Sequence, residues 1–177
     1  MRIYLDSSAY LKGFIEESQS GKVTEILNKC KEGSLTVVIS VWTLSECISV
    51  LDKALNKRIS PDQMDNIATK MLAYAFNFEK DGKLDIVEPD GKMIYRSWAY
   101  IRWYHLSADD ALHAICATVG QSDALVMADG RFANMLKNPE KIDDPRILAQ
   151  RPRIEFKVMD LFNDKDCREL EGLIKSL

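Results

Sequence analysis

Four carboxylates spread along this chain, Asp6, Glu46, Asp110 and Asp129, are the residues whose type and placement could do chemistry. Acids gathered in one crevice repel each other, and each holds its proton more tightly than a solitary acid, so such a group calls for a compensating cation. Mg2+ and Mn2+ are hard ions that prefer oxygen ligands and keep several waters when bound through a few carboxylates. A site of that kind can activate a water and stabilise the leaving oxygen of an in-line displacement at phosphorus. Taken singly, each acid also has a plainer explanation. An Asp at a strand end usually caps a turn, and an acid in the first turn of a helix usually answers the helix dipole.

Whether the four can act together depends on the elements that carry them. Residues 2 to 5 read as a strand running into Asp6, and Val23, Ile26, Leu27 and Cys30 recur at helical spacing until Gly33 stops the helix. Leu35 to Ile39 is a second, β-branched strand, followed by a helix with the stripe Leu44, Cys47, Ile48, Leu51 and Leu55. Ser60-Pro61-Asp62-Gln63 supplies an N-cap, a proline at the first helical position and a capping-box partner for the stripe from Met64 to Phe76. Leu84 to Val87 reads as a strand, Met93 to Tyr104 as an aromatic-rich helix, and Ser107 caps a helix that Gly120 ends. Ala124 to Met127 is a further buried strand, Ile154 to Val158 the last one, and a closing helix spans about Asp166 to Lys175. Strands separated by helices predict an α/β fold with a mainly parallel sheet and helices on both faces.

In an open parallel sheet, ligands bind in the crevice at the carboxyl ends of the strands. Asp6 ends the first strand, Asp129 ends the strand Ala124 to Met127, and Glu46 lies near the start of the helix after the second strand, so all three are sent to that rim. Asp110, in the first turn of the Ser107-capped helix, needs the tertiary fold to bring it there. It shares a helical face with His113, Ala114 and Ala117, whereas Asp109 is rotated by roughly 100°, so Asp110 is the choice of the two.

The 177 residues, 46% hydrophobic and 29% charged, suit one domain spanning the whole chain, 1–177. No apolar stretch is long enough to span a bilayer, and the start lacks the pattern of a signal peptide, which predicts a cytoplasmic protein. A net charge of −3 removes the simple argument from a basic protein to nucleic acid, while leaving room for a local basic track. Cys30, Cys47, Cys116 and Cys167 are far apart with no zinc spacing, and read as buried free thiols.

The segments Tyr4-Leu5-Asp6-Ser7-Ser8-Ala9, Leu44-Ser45-Glu46, Leu106 to Ala114 and Leu125 to Phe132 together resemble the PIN-domain ribonucleases, in particular the VapC-type toxins. Each motif is short, and their order and spacing give the match its specificity, from the first strand to about Phe132. The resemblance implies a three-layer α/β/α sandwich and Mg2+- or Mn2+-dependent endonuclease cleavage of RNA, with 5′-phosphate and 3′-hydroxyl products. It also implies frequent homodimerisation and often a small antitoxin partner. It places the family's acids on Asp6, Glu46, Asp110 and Asp129, matches Ser8 to the small polar residue that supports the first acid, and gives His113 a supporting role. Two departures stand out. Met127 occupies a position where Thr or Ser is common, and the stretch between Ser60 and Tyr104 is longer than in a minimal member.

Lys53 and Lys57 follow Glu46 on one helical face, and Arg96 and Arg102 accompany five aromatics between Tyr95 and Tyr104. These could form a phosphate track with stacking surfaces, or a dimer surface, but a solvated charged face over core aromatics is the preferred reading. Asp123, Asp143, Asp144, Asp164 and Asp166 read as turn, loop or capping residues. A dehalogenase-type phosphatase would need a second acid where Ser8 stands, and no G-x-G-x-x-G follows a strand. The non-enzymatic alternative is a PIN-like scaffold that binds RNA or a protein without cutting.

Overall fold

The structure, a computed structural model, describes residues 1–55, 59–139 and 144–177. Lys57 and Asp143 lie outside the described residues, as does the side chain of Leu55. In chain order the elements are β1 (Arg2–Leu5), α1 (Ser7–Tyr10), a 3-10 turn (Leu11–Gly13), α2 (Ser20–Glu32), β2 (Thr36–Ser40), α3 (Val41–Leu55), α4 (Pro61–Lys80) and β3 (Leu84–Val87). They continue with α5 (Gly91–Tyr104), α6 (Ala108–Val119), β4 (Ala124–Met127), α7 (Gly130–Lys137), α8 (Pro145–Leu148), β5 (Lys157–Asp160) and α9 (Asp164–Lys175). The five strands form one parallel sheet in the order β3-β2-β1-β4-β5.

Side chains alternate across the sheet with the period of two that the pleat imposes. Ile3, Leu5, Val37, Ile39 and Val126 point into one core, against α2, α3, α4 and α9. Tyr4, Val38, Leu125 and Met127 point into the other, against α5, α6 and α7. This is the α/β/α sandwich anticipated from the sequence, with strands apolar on both faces because both are covered. The four cysteines are buried free thiols. Among the described residues, no helix is long and apolar enough to cross a membrane.

The differences from the expected elements have local causes. The last strand is Lys157–Asp160 rather than Ile154 to Val158, because it pairs with β4 from Ala124↔Lys157 to Met127↔Asp160. Phe156 and Ile154 owe their apolar character to packing on the α5–α7 layer instead. α1 went unread because four residues are too few to show a helical period. Gly120 follows α6 with φ −69, so its backbone is ordinary. A Cβ there would lie 2.7 Å from Val38 Cγ1, and close approach of helix to sheet explains the glycine. α9 starts at Asp164, capped by the Asn163 side chain. The buried Asp166 carboxylate accepts from the Asp160 N–H at 2.8 Å and pairs with Lys137, tying α7, β5 and α9 together.

Candidate functional site

Parallel strands put every carboxyl end on one rim, and three of the acids follow from that geometry. Asp6 leaves β1 and caps α1, its Oδ1 accepting the Ala9 N–H at 2.8 Å. Asp129 leaves β4 and caps α7 through the Arg131 and Phe132 N–H groups at 2.9 and 3.0 Å. Glu46 is carried by α3, which begins directly after β2. The capping explanation and the site explanation therefore coincide at Asp6 and Asp129. Fixing the backbone at the strand end also fixes where the carboxylate stands.

Asp6 is 4% exposed. Burial pushes its carboxyl up to about 6, against the pull of the His113 charge, the Ala9 N–H and Ser8, while the Glu46 charge adds to the rise. Ser8 Oγ donates to the Asp6 carboxylate at 2.8 and 2.9 Å and accepts the Ala128 N–H at 2.8 Å. One hydroxyl thus joins the end of β1 to the end of β4. Met127, the departure from the family pattern, is fully buried among the α5–α7 side chains.

His113 occupies the centre of the rim. It is 3% exposed, with Nε2 2.6 Å from Glu46 Oε2 and Nδ1 3.0 Å from Tyr4 Oη. Tyr4 Oη also reaches Ser40 Oγ at 3.0 Å and Thr43 Oγ1 at 3.3 Å, so the network joins β1, β2, α3 and α6. A carboxylate only accepts, so Nε2 carries a hydrogen. The single Tyr4 hydroxyl hydrogen then has three acceptors in reach, His113 Nδ1, Ser40 Oγ and Thr43 Oγ1. Given to Nδ1, it makes that ring nitrogen the acceptor; given to Ser40 or Thr43, it leaves the Tyr4 oxygen to accept from the ring. The orientation of the tyrosine hydroxyl and the tautomer of His113 are therefore linked.

The acids respond to this arrangement differently. Burial would raise Glu46, but the hydrogen bond and charge of His113, with help from Ser7 and Trp42, bring it below its ordinary value. Asp110 is raised, first by burial and then by the Asp129 charge, with Ser107 and His113 opposing. The Glu46 charge thus acts on Asp6, the Asp129 charge acts on Asp110, and His113 acts on Asp6, Glu46 and Asp110. Among the described residues, no three His, Cys, Asp or Glu side chains cluster closely enough to form a ready-made metal cage. All-oxygen donors spaced in this way suit a hard cation held through one or two carboxylates and otherwise by water, as Mg2+ commonly is.

Two acids near the rim escaped the sequence reading. Asp109, set aside on helical rotation, is exposed and lines a pocket with Glu46, Trp42 and Lys53. Asp160 ends β5 level with Met127, and the Cβ that Gly130 lacks would come within 3.2 Å of its Oδ2. Its strand-end position was hidden by the misplaced last strand. The Tyr4, Ser40 and Thr43 network was also missed, since nothing in a β-branched run marks which strand hydroxyl will meet a helix-borne histidine. By contrast, Asp123 accepts the Arg2 N–H at 2.7 Å at the opposite end of the sheet.

No curated protein is significantly similar to the chain. Solved structures that share its fold include two VapC-type proteins. VapC20 of Mycobacterium tuberculosis, described as a sarcin-ricin loop cleaving toxin, is 14% identical with a TM-score of 0.55, over 74% of this chain and 92% of its own. VapBC2 of Rickettsia felis, solved bound to a DNA fragment from its promoter, is 14% identical with a TM-score of 0.54, over 90% of this chain and 98% of that one. The sequence profile of the PIN domain matches residues 3–138. With the parallel sheet and its helical layers in the same arrangement, the chain belongs to the PIN-domain family.

Proposed function

We propose that this protein is a Mg2+- or Mn2+-dependent endoribonuclease in which Asp6, Glu46, Asp110 and Asp129 hold the cation and serve the reaction. The observation that carries the reading is Asp6, a buried carboxylate raised to about 6 beside Glu46, with no cationic side chain among the described residues hydrogen-bonded to it. A fold that leaves an acid so placed gains most from a divalent ion. Such an ion supplies an activated water and neutralises charge at phosphorus. The chain's own residues do the positioning. Ser8 and the Ala9 N–H orient Asp6, and His113 holds one Glu46 oxygen. The α7 N-terminus holds one Asp129 oxygen.

By kinship of fold with two VapC proteins, the substrate is RNA and the setting a toxin–antitoxin pair, with a small antitoxin partner, a homodimer and a cytoplasmic location. Purified protein is expected to cut single-stranded RNA with Mg2+ or Mn2+, and Asp6→Asn to abolish cutting. Equal cutting by the variant would refute the assignment. The spacing of the acids favours a second reading, a PIN-like scaffold that binds RNA or a protein without cleaving. Mn2+ titration separates the two: a catalytic site binds the ion and loses it in Asp129→Asn, whereas a scaffold shows no binding that depends on Asp129.

A further inference from the structure

Two surface pockets flank α1 and adjoin at Ser7 and Val50, which line both; together they are treated as one groove with two arms. One arm carries Trp42, Glu46, Lys53 and Asp109. The other carries Ser8, which holds Asp6, together with Lys12 and Glu17. The groove therefore runs past Glu46 and past Ser8, the residue that holds Asp6, with Lys53 and Asp109 in one arm and Lys12 and Glu17 in the other. Lys12 is unusual for its type. It is 6% exposed, its Nζ lies 2.5 Å from Glu17 Oε1, and it sits 5.2 Å from the centroid of the half-exposed Phe162 ring. Lysine is almost never so buried without a partner, and here the partner is a surface carboxylate that can yield to another anion. At the other end Trp42 is 37% exposed and Lys53 is exposed, giving an aromatic face beside a cation.

Resting on the nuclease reading, we infer that this groove is the track for the single-stranded RNA: Lys12 and Lys53 take phosphates on opposite sides of the cleavage point, and Trp42 stacks a base. Charged contacts to a single strand release counterions, whereas stacking is insensitive to salt, so the two contributions separate by ionic strength. Glu17 then acts as a stand-in anion that holds Lys12 in place until a phosphate displaces it.

The test measures fluorescence anisotropy of a 5′-fluorescein-labelled dodecameric oligouridylate on full-length Asp6→Asn protein, without divalent ions, across a range of KCl. Lys53→Gln and Lys12→Gln are each expected to weaken binding severalfold and to flatten the salt slope by about 0.7 per lysine. Trp42→Ala should weaken binding by roughly tenfold with the slope unchanged. Glu17→Gln should tighten binding, because it frees the Lys12 ammonium. Since Lys12→Gln could fail to fold, the exposed positions carry the decision. Parental binding by Lys53→Gln and Trp42→Ala, or no change in Glu17→Gln, overturns the groove and leaves Lys12 as an internal ion pair. Cleavage by the parent chain alongside that result would spare the nuclease reading, and groove-dependent binding without cleavage would refute the nuclease reading alone.

Discussion

The two ends of the sheet treat their acids in opposite ways. At the amino end, Asp85 pairs with the Arg2 guanidinium, Asp123 accepts the Arg2 backbone N–H, and Arg2 Nε donates to the Gly120 carbonyl at 2.8 Å. At the carboxyl end, the Glu46 charge acts on Asp6 and the Asp129 charge on Asp110, with His113 acting on Asp6, Glu46 and Asp110. The same topology thus compensates the amino-end pair with Arg2, whereas at the carboxyl end Glu46 is met by His113 and burial raises Asp6 and Asp110. Raised carboxyls gathered in a cleft mark a candidate site, and under the proposed function it is the divalent ion that offsets them.

The largest break in this comparison is Asp6→Asn. Loss of RNA cleavage by about a thousandfold or more is expected if the carboxylate holds the cation. Asn still accepts the Ala9 N–H, so the cap survives. In the metal-free protein the same change should stabilise the fold. A carboxyl raised to about 6 in the folded state favours its protonated form there. The penalty for ionising it is absent below its unfolded value, near pH 4, grows between pH 4 and 6, and is complete above 6. Asp6→Asn should therefore be more stable than the parent at pH 7, by on the order of 2 kcal/mol, and equal to it at pH 4. Denaturant melts at the two pH values check this, and a parent more stable at pH 7 would contradict it.

A smaller effect is expected of His113→Gln, which loosens both Glu46 and Tyr4. Metal affinity or activity should fall by about 10- to 100-fold, and stability by about 1–3 kcal/mol. Smallest is Arg2→Met at the amino end. The Arg2–Asp85 pair is partly solvated, with side chains 33% and 45% exposed, so about 1 kcal/mol or less is expected, with cleavage unchanged. Chemical melts together with RNA cleavage rates measure both variants. Loss of cleavage in Arg2→Met would erase the distinction between the two ends.

Much of this was legible in the sequence because it follows from strand ends. Asp6 and Asp129 each directly follow or closely trail a strand, and parallel pairing sends both to one rim whatever the details of packing. The capping box of α4 was equally plain, with the Ser60 and Gln63 side chains each bonded to the other's backbone N–H as their spacing suggests. What was hidden depended on tertiary contact. Tyr4 looks like any strand aromatic until its hydroxyl meets His113, and Lys12 looks like a surface lysine until Glu17 and Phe162 enclose it. Asp160 required the true pairing of β5. The aromatics of α5 divide in a way the sequence left open: Tyr100, Trp103 and Tyr104 are core, while Tyr95 and Trp98 are exposed, with the Arg102 guanidinium 5.7 Å from the Trp98 ring.

The central claim is that the carboxyl-end acids await a divalent ion and the amino-end acids do not. Thermal melting at pH 7 with and without Mn2+, in the parent, Arg2→Met and Asp6→Asn, tests it most directly. A ligand that binds only the folded state at a hundredfold its dissociation constant stabilises by about 2.7 kcal/mol, or roughly 5–10 °C for a chain of this size. The account predicts that shift in the parent and equally in Arg2→Met, and little or none in Asp6→Asn. The same shift in all three, or no shift in the parent, would contradict it.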